Sequence, residues 1–357
     1  MYSDRVKAIL LVGGFGTRLR PLTLRTPKAV VPIFDRPFLH YQLDLLARLP
    51  EIDEVILSLN YQPDAIERAA AERGAGGPRI RYLVEPQPLG TGGAVKFAAP
   101  HLDGTVVVFN GDVLTAIDLR AVVDLHRSRG ARATVVLTPV ENPSAYGLVE
   151  TDADGNVRAF REKPDPDQIT CDTINAGIYV LEPATFDRIP SGTKYSIERR
   201  YFPSLVDRGE NFVAYVERGY WIDIGTIEKY VQVHRDIMSG RCAAHPFAGR
   251  AAEAPLIDPA AGVAAGARVE GPSFVGAGAR VAAGAAVMAN SVVGANAAVG
   301  ENAVVDGSIL WPDCVIGAGA TVRGAVLGRR SRVEDNAVVG PGAVLGDDSV
   351  VTAYSTT

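Results

Sequence analysis

Cysteine is scarce. Three in 357 residues, Cys171, Cys242 and Cys314, stand far apart with no Cys-x-x-Cys pair, which argues against a disulfide framework and against the usual thiolate zinc and redox motifs, and fits a reducing cytoplasm. Histidine is also thin, and the five present (His40, His101, His126, His234, His245) are scattered, so neither a His-rich metal cluster nor a Ser/His/Asp hydrolase is suggested. The longest early apolar run, Ala8 to Val12, is stopped by Gly13-Gly14, too soon for a signal peptide or a membrane span. There is no long basic run, and the formal charge is −5; nucleic acid and an anionic membrane surface are poor candidates for the main partner. Any anion must be held by a local site. Two common phosphate motifs are missing as well. No Gly-Lys-Ser/Thr step occurs, Leu19 stands where a dinucleotide fingerprint needs its third glycine, and Asn60 stands where its acidic residue would close the second strand.

What is present reads as two domains, the default for this length. Up to about residue 240, β-branched runs alternate with helical patterns, the form of an α/β domain on a mostly parallel sheet. Strands are expected at Lys7–Val12, Val55–Leu59, Ile80–Val84, Val106–Asn110 and Ala133–Thr138. Leu39, Leu43, Leu46 and Leu49 recur at helical spacing, as do Ile227, Tyr230, Val231, His234 and Ile237 after Thr226, a capping residue. Gly240 to Pro255 carries neither period and reads as a connection. The division is therefore 1–240, a linker 241–256, and 257–357.

In the last segment aliphatic residues fall every six positions, from Ile257 through Val263, Val269 and onward to Val305. They resume one place early at Leu310, and again at Leu327, running to Val351. Small residues such as Ala279, Ser291 and Ala297 take the fourth place after most of them. One inward aliphatic and one inward small side chain per six residues is the signature of a parallel β-helix, each hexapeptide forming one flat side, and the two slips mark corners shorter by one residue.

The chemistry-bearing residues gather in the first domain. The first strand runs into Gly13-Gly14-Phe15-Gly16-Thr17-Arg18 and then Pro27-Lys28. Glycines at a strand end let backbone N–H groups approach an oxyanion, and Arg18 and Lys28 add charge for a polyphosphate. Asp112 closes a buried-looking strand, and Asp223 follows an aromatic in another. Together with a triphosphate two such carboxylates make a Mg²⁺ site; singly they read equally as a turn residue and a polar strand stop.

The run Leu11 to Pro32 resembles the N-terminal signature of sugar-nucleotide pyrophosphorylases, and later stretches agree in order. These are Glu85-Pro86-Gln87-Pro88-Leu89-Gly90-Thr91-Gly92-Gly93, Asn110-Gly111-Asp112, Tyr146-Gly147, Glu162-Lys163-Pro164, Asn175-Ala176-Gly177 and Trp221-Ile222-Asp223-Ile224-Gly225. The trailing hexapeptides resemble the second domain of mannose-1-phosphate guanylyltransferases and ADP-glucose pyrophosphorylases. The resemblance implies a Rossmann-like nucleotidyltransferase domain followed by a left-handed parallel β-helix, and transfer of a nucleotidyl group to a sugar 1-phosphate. It implies a nucleotide site of Gly13, Gly14, Gly16, Thr17, Glu85, Gly90 and Thr91, and a sugar-phosphate site of Gly147, Glu162, Lys163 and Asn175. Asp112 and Asp223 would hold Mg²⁺, with Arg18, Lys28 and Lys163 supplying positive charge. Ala29 departs from the family, many of whose members place proline there.

At Glu85 the family reads the base. A carboxylate only accepts, and guanine offers two adjacent donors, so GTP is favoured. Mannose 1-phosphate is the favoured sugar substrate, with heptose and glucose 1-phosphates open. Hexapeptide β-helices in acyltransferases use a histidine base; no histidine follows His245, so the β-helix is expected to make homo-oligomer contacts or to communicate with the first domain. A non-catalytic nucleotide-sugar-binding subunit is the rival from another class, and would be expected to have lost one of the five charged site residues, all of which are present.

Overall fold

The computed structural model describes residues 6–74, 76–162, 165, 167, 169–250 and 253–357. By packing, the chain forms two compact units, Met1–Gly14 with Leu39–Asp223, and Phe15–Phe38 with Ile224–Thr357.

The first unit is a sheet flanked by helices. Strands β1 (Val6–Leu11), β2 (Ile52–Leu59), β3 (Arg79–Val84) and β4 (Val106–Asn110) run parallel in the order β4-β1-β2-β3. β1, β2 and β4 are mainly apolar, with buried stretches Ala8–Leu10, Val55–Leu57 and Val106–Phe109, because both sheet faces are covered there. The parallel expectation ends there. After β5 (Val113–Thr115), β6 (Ala133–Pro139), β7 (Gly147–Thr151) and β8 (Val157–Glu162) comes a long return strand, β9 (Thr173–Leu181), antiparallel to β4, β6 and β7. β10 (Phe212–Val216) lies parallel to β6, and β11 (Trp221–Asp223) forms a separate two-stranded ladder with β5. The sheet is thus mixed, since β9 pairs with strands distant in sequence and reverses direction without any local sign of it.

Helix α1 (Phe38–Leu46) buries Leu39, Leu43 and Leu46 as its stripe requires. Helices α2 (Pro63–Glu72), α3 (Gly90–Ala98), α4 (Leu119–Ser128) and α5 (Phe202–Asp207) follow. α2 starts on a proline, whose missing N–H would have no helical partner there; α4 is capped by the Asp118 carboxylate accepting from the Arg120 and Ala121 amides. Beneath β9 the core is aromatic, with Phe202 centred 4.9 Å from Tyr179, 5.0 Å from Phe160 and 5.2 Å from Phe212.

The second unit is a three-sided solenoid joined by helix α6 (Ile227–Met238) and the segment Phe15–Phe38. Thr226 caps α6 by accepting from the Lys229 amide. Parallel two- and three-residue strands stack in three sheets, Val275 on Val293 on Leu310 on Leu327. Inward Val, Leu and Ile side chains alternate with buried Ala279, Ala285, Ala297 and Ala303. The two slips lie at the corners of Gly307 and Gly324, both at φ 53, with the Gly324 amide donating to Asp306 O at 2.8 Å. Among the described residues no helix is long and apolar enough to cross a membrane.

Candidate active site

β1 and β4 are parallel neighbours, with Leu11 opposite Asn110, so their carboxyl ends lie side by side. Open α/β sheets place ligands at such ends. Gly111 makes the turn possible: its amide donates to Leu11 O at 3.0 Å, and a Cβ there would collide with that same oxygen. Asp112 follows, half-buried. Gln42 of α1, 1% exposed, donates from one amide nitrogen to Asn110 O at 2.9 Å and Val113 O at 3.0 Å, bracketing the Gly111–Asp112 turn. Sequence reading missed Gln42. Its signal was a polar residue one helical turn after Leu39, beside the apolar stripe of α1.

The ladder of β5 with β11 sets Asp223 opposite Val113, the residue after Asp112. Two side chains, Tyr146 and Trp221, brace its strand. The Tyr146 hydroxyl donates to Asp223 Oδ1 at 3.1 Å, its ring stands edge-on to Trp221 at 5.7 Å, and the Trp221 indole donates to Ala176 O at 2.9 Å. The indole thereby ties the Asn175–Gly177 segment to the Asp223 strand. Gly177 (φ +76) lies against Asn110, whose amide nitrogen would be 2.8 Å from a Cβ there. Asn175 donates to the Tyr179 hydroxyl at 2.8 Å and accepts from the Gly177 amide at 2.9 Å. Burial pushes the Tyr179 phenol well above its usual range, with Glu198 and Glu162 adding to the effect, so it stays neutral. Gly147 pairs with Glu162 across β7 and β8, and a Cβ at Gly147 would sit 2.8 Å from Glu162 Oε2. Asp112, Asp223, Asn175, Gly147 and Glu162 are thus joined by Asn110, Tyr146, Trp221 and Tyr179.

Glu85 is buried, and both carboxylate oxygens are engaged. Ser58 Oγ donates to Oε1 at 2.8 Å, and the Leu89 amide donates to Oε2 at 2.9 Å. That grip fixes the loop leading to Gly90, which sits at φ +69 with Tyr195 O where a Cβ would fall, at 2.9 Å. The Gly92 and Gly93 amides at the start of α3 donate to Tyr195 O, and Thr91 Oγ1 donates to Glu198 while accepting from the Ile197 amide. These groups clamp the 195–198 turn. Gly13 touches Asn60, whereas a Cβ at Gly14 would meet nothing within 4 Å.

In the second unit Gly16 adopts φ +60, and a Cβ there would be 3.0 Å from Lys28 Cβ, so the glycine turn and Lys28 are packed together. Thr23 Oγ1 donates to Gly16 O at 2.7 Å and pins the turn. Thr17 and Arg18 are exposed, and Lys28 is half-buried. Lys163 lies outside the described residues.

Among the described residues no group of three or more His, Cys, Asp and Glu side chains is arranged for a metal. Asp112, immediately before β5, and Asp223, on the paired strand β11, each carry hard oxygen donors. That suits Mg²⁺, which binds through one or two carboxylates and completes its shell with substrate phosphates and water.

A model of the nucleotidyl transferase family matches residues 7–240, and one of the EIF2B subunit epsilon LbH domain matches residues 258–356. The chain belongs to the nucleotidyl transferase family. The second match agrees with a left-handed β-helix after the transferase domain. A mannose-1-phosphate guanylyltransferase of Mycobacterium tuberculosis is 42% identical over 284 residues, 79% of this chain and 78% of that protein. A UTP–glucose-1-phosphate uridylyltransferase of Synechocystis is 33% identical over 372 residues, 98% of this chain and 88% of that protein. The crystal structure of HddC from Yersinia pseudotuberculosis complexed with GMP-PN matches with a TM-score of 0.55 and 28% identity, covering 66% of this chain and all of that one. As a member of the family, the chain falls with its sugar-1-phosphate nucleotidyltransferases.

Proposed function

We propose that the protein joins GTP to mannose 1-phosphate, giving GDP-mannose and pyrophosphate. The observation that supports this reading is the register of Asp223 opposite Val113, which brings the strand ending in Asp223 against the strand that follows Asp112, in a chain of this family. Guanine is supported by the guanylyltransferase name of the mycobacterial relative, by the guanine nucleotide of the HddC structure, and by Glu85. Two of the four lone-pair sites of its carboxylate are used by Ser58 and Leu89, leaving two to accept from N1–H and the 2-amino group.

In this reading a phosphate oxygen of the sugar phosphate bonds to the α-phosphorus while the bond to the β-bridging oxygen breaks and pyrophosphate leaves with the electron pair. The attacking oxygen is already ionised at neutral pH, so no protein base is required. Asp112 and Asp223 would hold Mg²⁺. Bound there, the ion would neutralise and orient the phosphates. Gly13, Gly14, Gly16 and Thr17 offer backbone groups to the triphosphate; Arg18 and Lys28 offset its charge, and Gly90 and Thr91 border the base. Gly147, Glu162 and Asn175 receive the sugar and Lys163 its phosphate. Positioning two repelling anions in line is the main task of these residues. We assign the transferase to 1–240, the linker to 241–256 and the solenoid to 257–357. Self-association through the solenoid and a cytoplasmic site, supported by the free thiols, belong to the same reading.

The test is pyrophosphate release with Mg²⁺ across four NTPs and the 1-phosphates of mannose, glucose and a heptose. Release with GTP and mannose 1-phosphate is expected to exceed every other pair. Preference for UTP and glucose 1-phosphate, the pair of the Synechocystis relative, would replace this assignment, and silence from folded protein would remove the enzyme reading.

A further inference from the structure

The second unit contains a chain of buried polar contacts with no part in the chemistry just described. Tyr230 of α6 is fully buried; its hydroxyl donates to Pro32 O at 2.5 Å and accepts from the indole N–H of Trp311, on the solenoid, at 2.8 Å. One helical turn on, His234, 1% exposed, accepts from the Phe34 amide at Nε2 (3.2 Å) and donates from Nδ1 to Tyr230 O (2.8 Å). The carbonyl of Pro32 and the amide of Phe34 are thus both held by α6. Phe34 sits at φ 57, unfavourable for a bulky residue, with its ring among His234 at 4.9 Å, Phe247 at 5.4 Å and Phe274 at 5.4 Å.

The strand so fixed continues from Lys28. The Val31 amide donates to Lys28 O at 3.3 Å, the Phe38 amide donates to Val31 O at 3.0 Å, and Lys28 lies against the Gly16 turn. Elsewhere on the same segment, Arg25 pairs with Asp348 at 2.5 Å, and Asp348 also pairs with Arg330 at 2.7 Å. Pro21 lies against Gly346, where a Cβ would be 3.2 Å away. The outer ion pairs are exposed and contribute little. The buried contacts set the backbone.

We propose that Tyr230, His234 and Trp311 are positioning residues for nucleotidyl transfer, a relay from the solenoid through α6 that sets the backbone carrying Lys28. This rests on the reading of Lys28 as a triphosphate ligand. Without the Tyr230 hydroxyl, Pro32 O and the Trp311 N–H lose their shared partner in a dry site, and the segment relaxes to recover hydrogen bonds. Displacement of a charged group by about 1 Å lowers turnover by up to roughly a hundredfold.

The experiment compares full-length Tyr230→Phe, Trp311→Phe, His234→Leu and His234→Gln by hydrogen exchange and by steady-state pyrophosphate release. Tyr230→Phe is expected to speed exchange in peptides covering 31–38 and to lower kcat about tenfold, with KM for the sugar phosphate within about twofold. His234→Leu should behave alike, whereas His234→Gln, whose amide oxygen can accept from Phe34, should restore both readouts. The Tyr230→Phe/Trp311→Phe double variant should lose little more than Tyr230→Phe, since both cut one chain of bonds. Unchanged exchange at 31–38 in Tyr230→Phe, or faster exchange with wild-type kcat, overturns the proposal. If Tyr230→Phe does not fold, the His234→Leu and His234→Gln pair decides by the same two readouts. A wild-type protein silent with every NTP defeats the functional reading instead, and exchange alone then decides whether the relay holds the segment.

Discussion

Replacing Gln42 by leucine tests whether the Asp112 turn is held from behind. The side chain is 1% exposed, and leucine nearly matches its volume, so the change removes hydrogen bonds without opening a cavity. Two carbonyls, Asn110 O and Val113 O, lose their donor. A buried orphan costs about 1–3 kcal/mol, which gives roughly 2–6 kcal/mol for the pair. Gln42 Oε1 is itself buried with no hydrogen-bond partner among the described residues. Leucine removes that atom and adds apolar burial, recovering roughly 1–3 kcal/mol. The balance is a loss of about 2 kcal/mol, or a Tm lower by about 4–8 °C for a unit of this size. Turnover should suffer more, because the freed turn presents Asp112: kcat is expected to fall at least tenfold and the Mg²⁺ concentration for half-maximal rate to rise. Thermal unfolding and pyrophosphate release titrated with Mg²⁺ read both quantities. A Tm within about 1 °C of wild type, or unchanged kcat and Mg²⁺ dependence, would refute the bracing role. Gln42→Glu should be worse than leucine at pH 7, since a carboxylate would face two carbonyl oxygens.

Burial lowers the pKa of His234 from 6.5 to about 4. The unfolded chain therefore takes a proton that the folded chain refuses between those values, and stability falls with pH through that window and levels off below about 4. The full difference is about 3 kcal/mol at 1.36 kcal/mol per pH unit; chemical denaturation of wild type against His234→Gln should diverge from pH 6.5 downward, and parallel curves would contradict this account. At the carboxylates, Asp223→Asn should lower pyrophosphate release at least about a hundredfold, whereas Tyr146→Phe, which loses one hydrogen bond but keeps its contact with Trp221, should stay within about threefold and need more Mg²⁺. Equal losses in the two variants would show that the Tyr146 hydroxyl does more than orient Asp223.

The features legible in the sequence are those with a short period. The first four strands and the leucine face of α1 were visible because burial on both sheet faces or on one helix face leaves a run or a stripe. The ladder of β5 with β11 was not visible. Asp112 and Asp223 could be named as candidates, but the pairing of their strands depends on a register between residues about a hundred positions apart, and a three-residue strand carries too little pattern to announce its partner. The long strand β9 escaped for the same reason, and with it the mixed character of the sheet. Gly111 is the exception, a local mark of a distant contact, because the closeness of Leu11 O leaves no room for a side chain.

The solenoid shows how such marks can be found in general. Along one corner the residues after Val275, Val293, Leu327 and Leu345 are Gly276, Gly294, Gly328 and Gly346, while the residue after Leu310 is Trp311. The glycines are there for want of space: a Cβ on Gly294 would lie 2.7 Å from Leu310 O, and one on Gly328 2.7 Å from the Asp347 amide nitrogen. A large ring in this row therefore departs from the repeat, and it is 1% exposed although its position belongs to an outer corner. Something must cover it, and in this structure Tyr230 does, its ring centred 6.3 Å away. A strict repeat needs only itself to bury its core, so the turn that breaks the rule marks the place where helix α6 of the same unit packs on the solenoid.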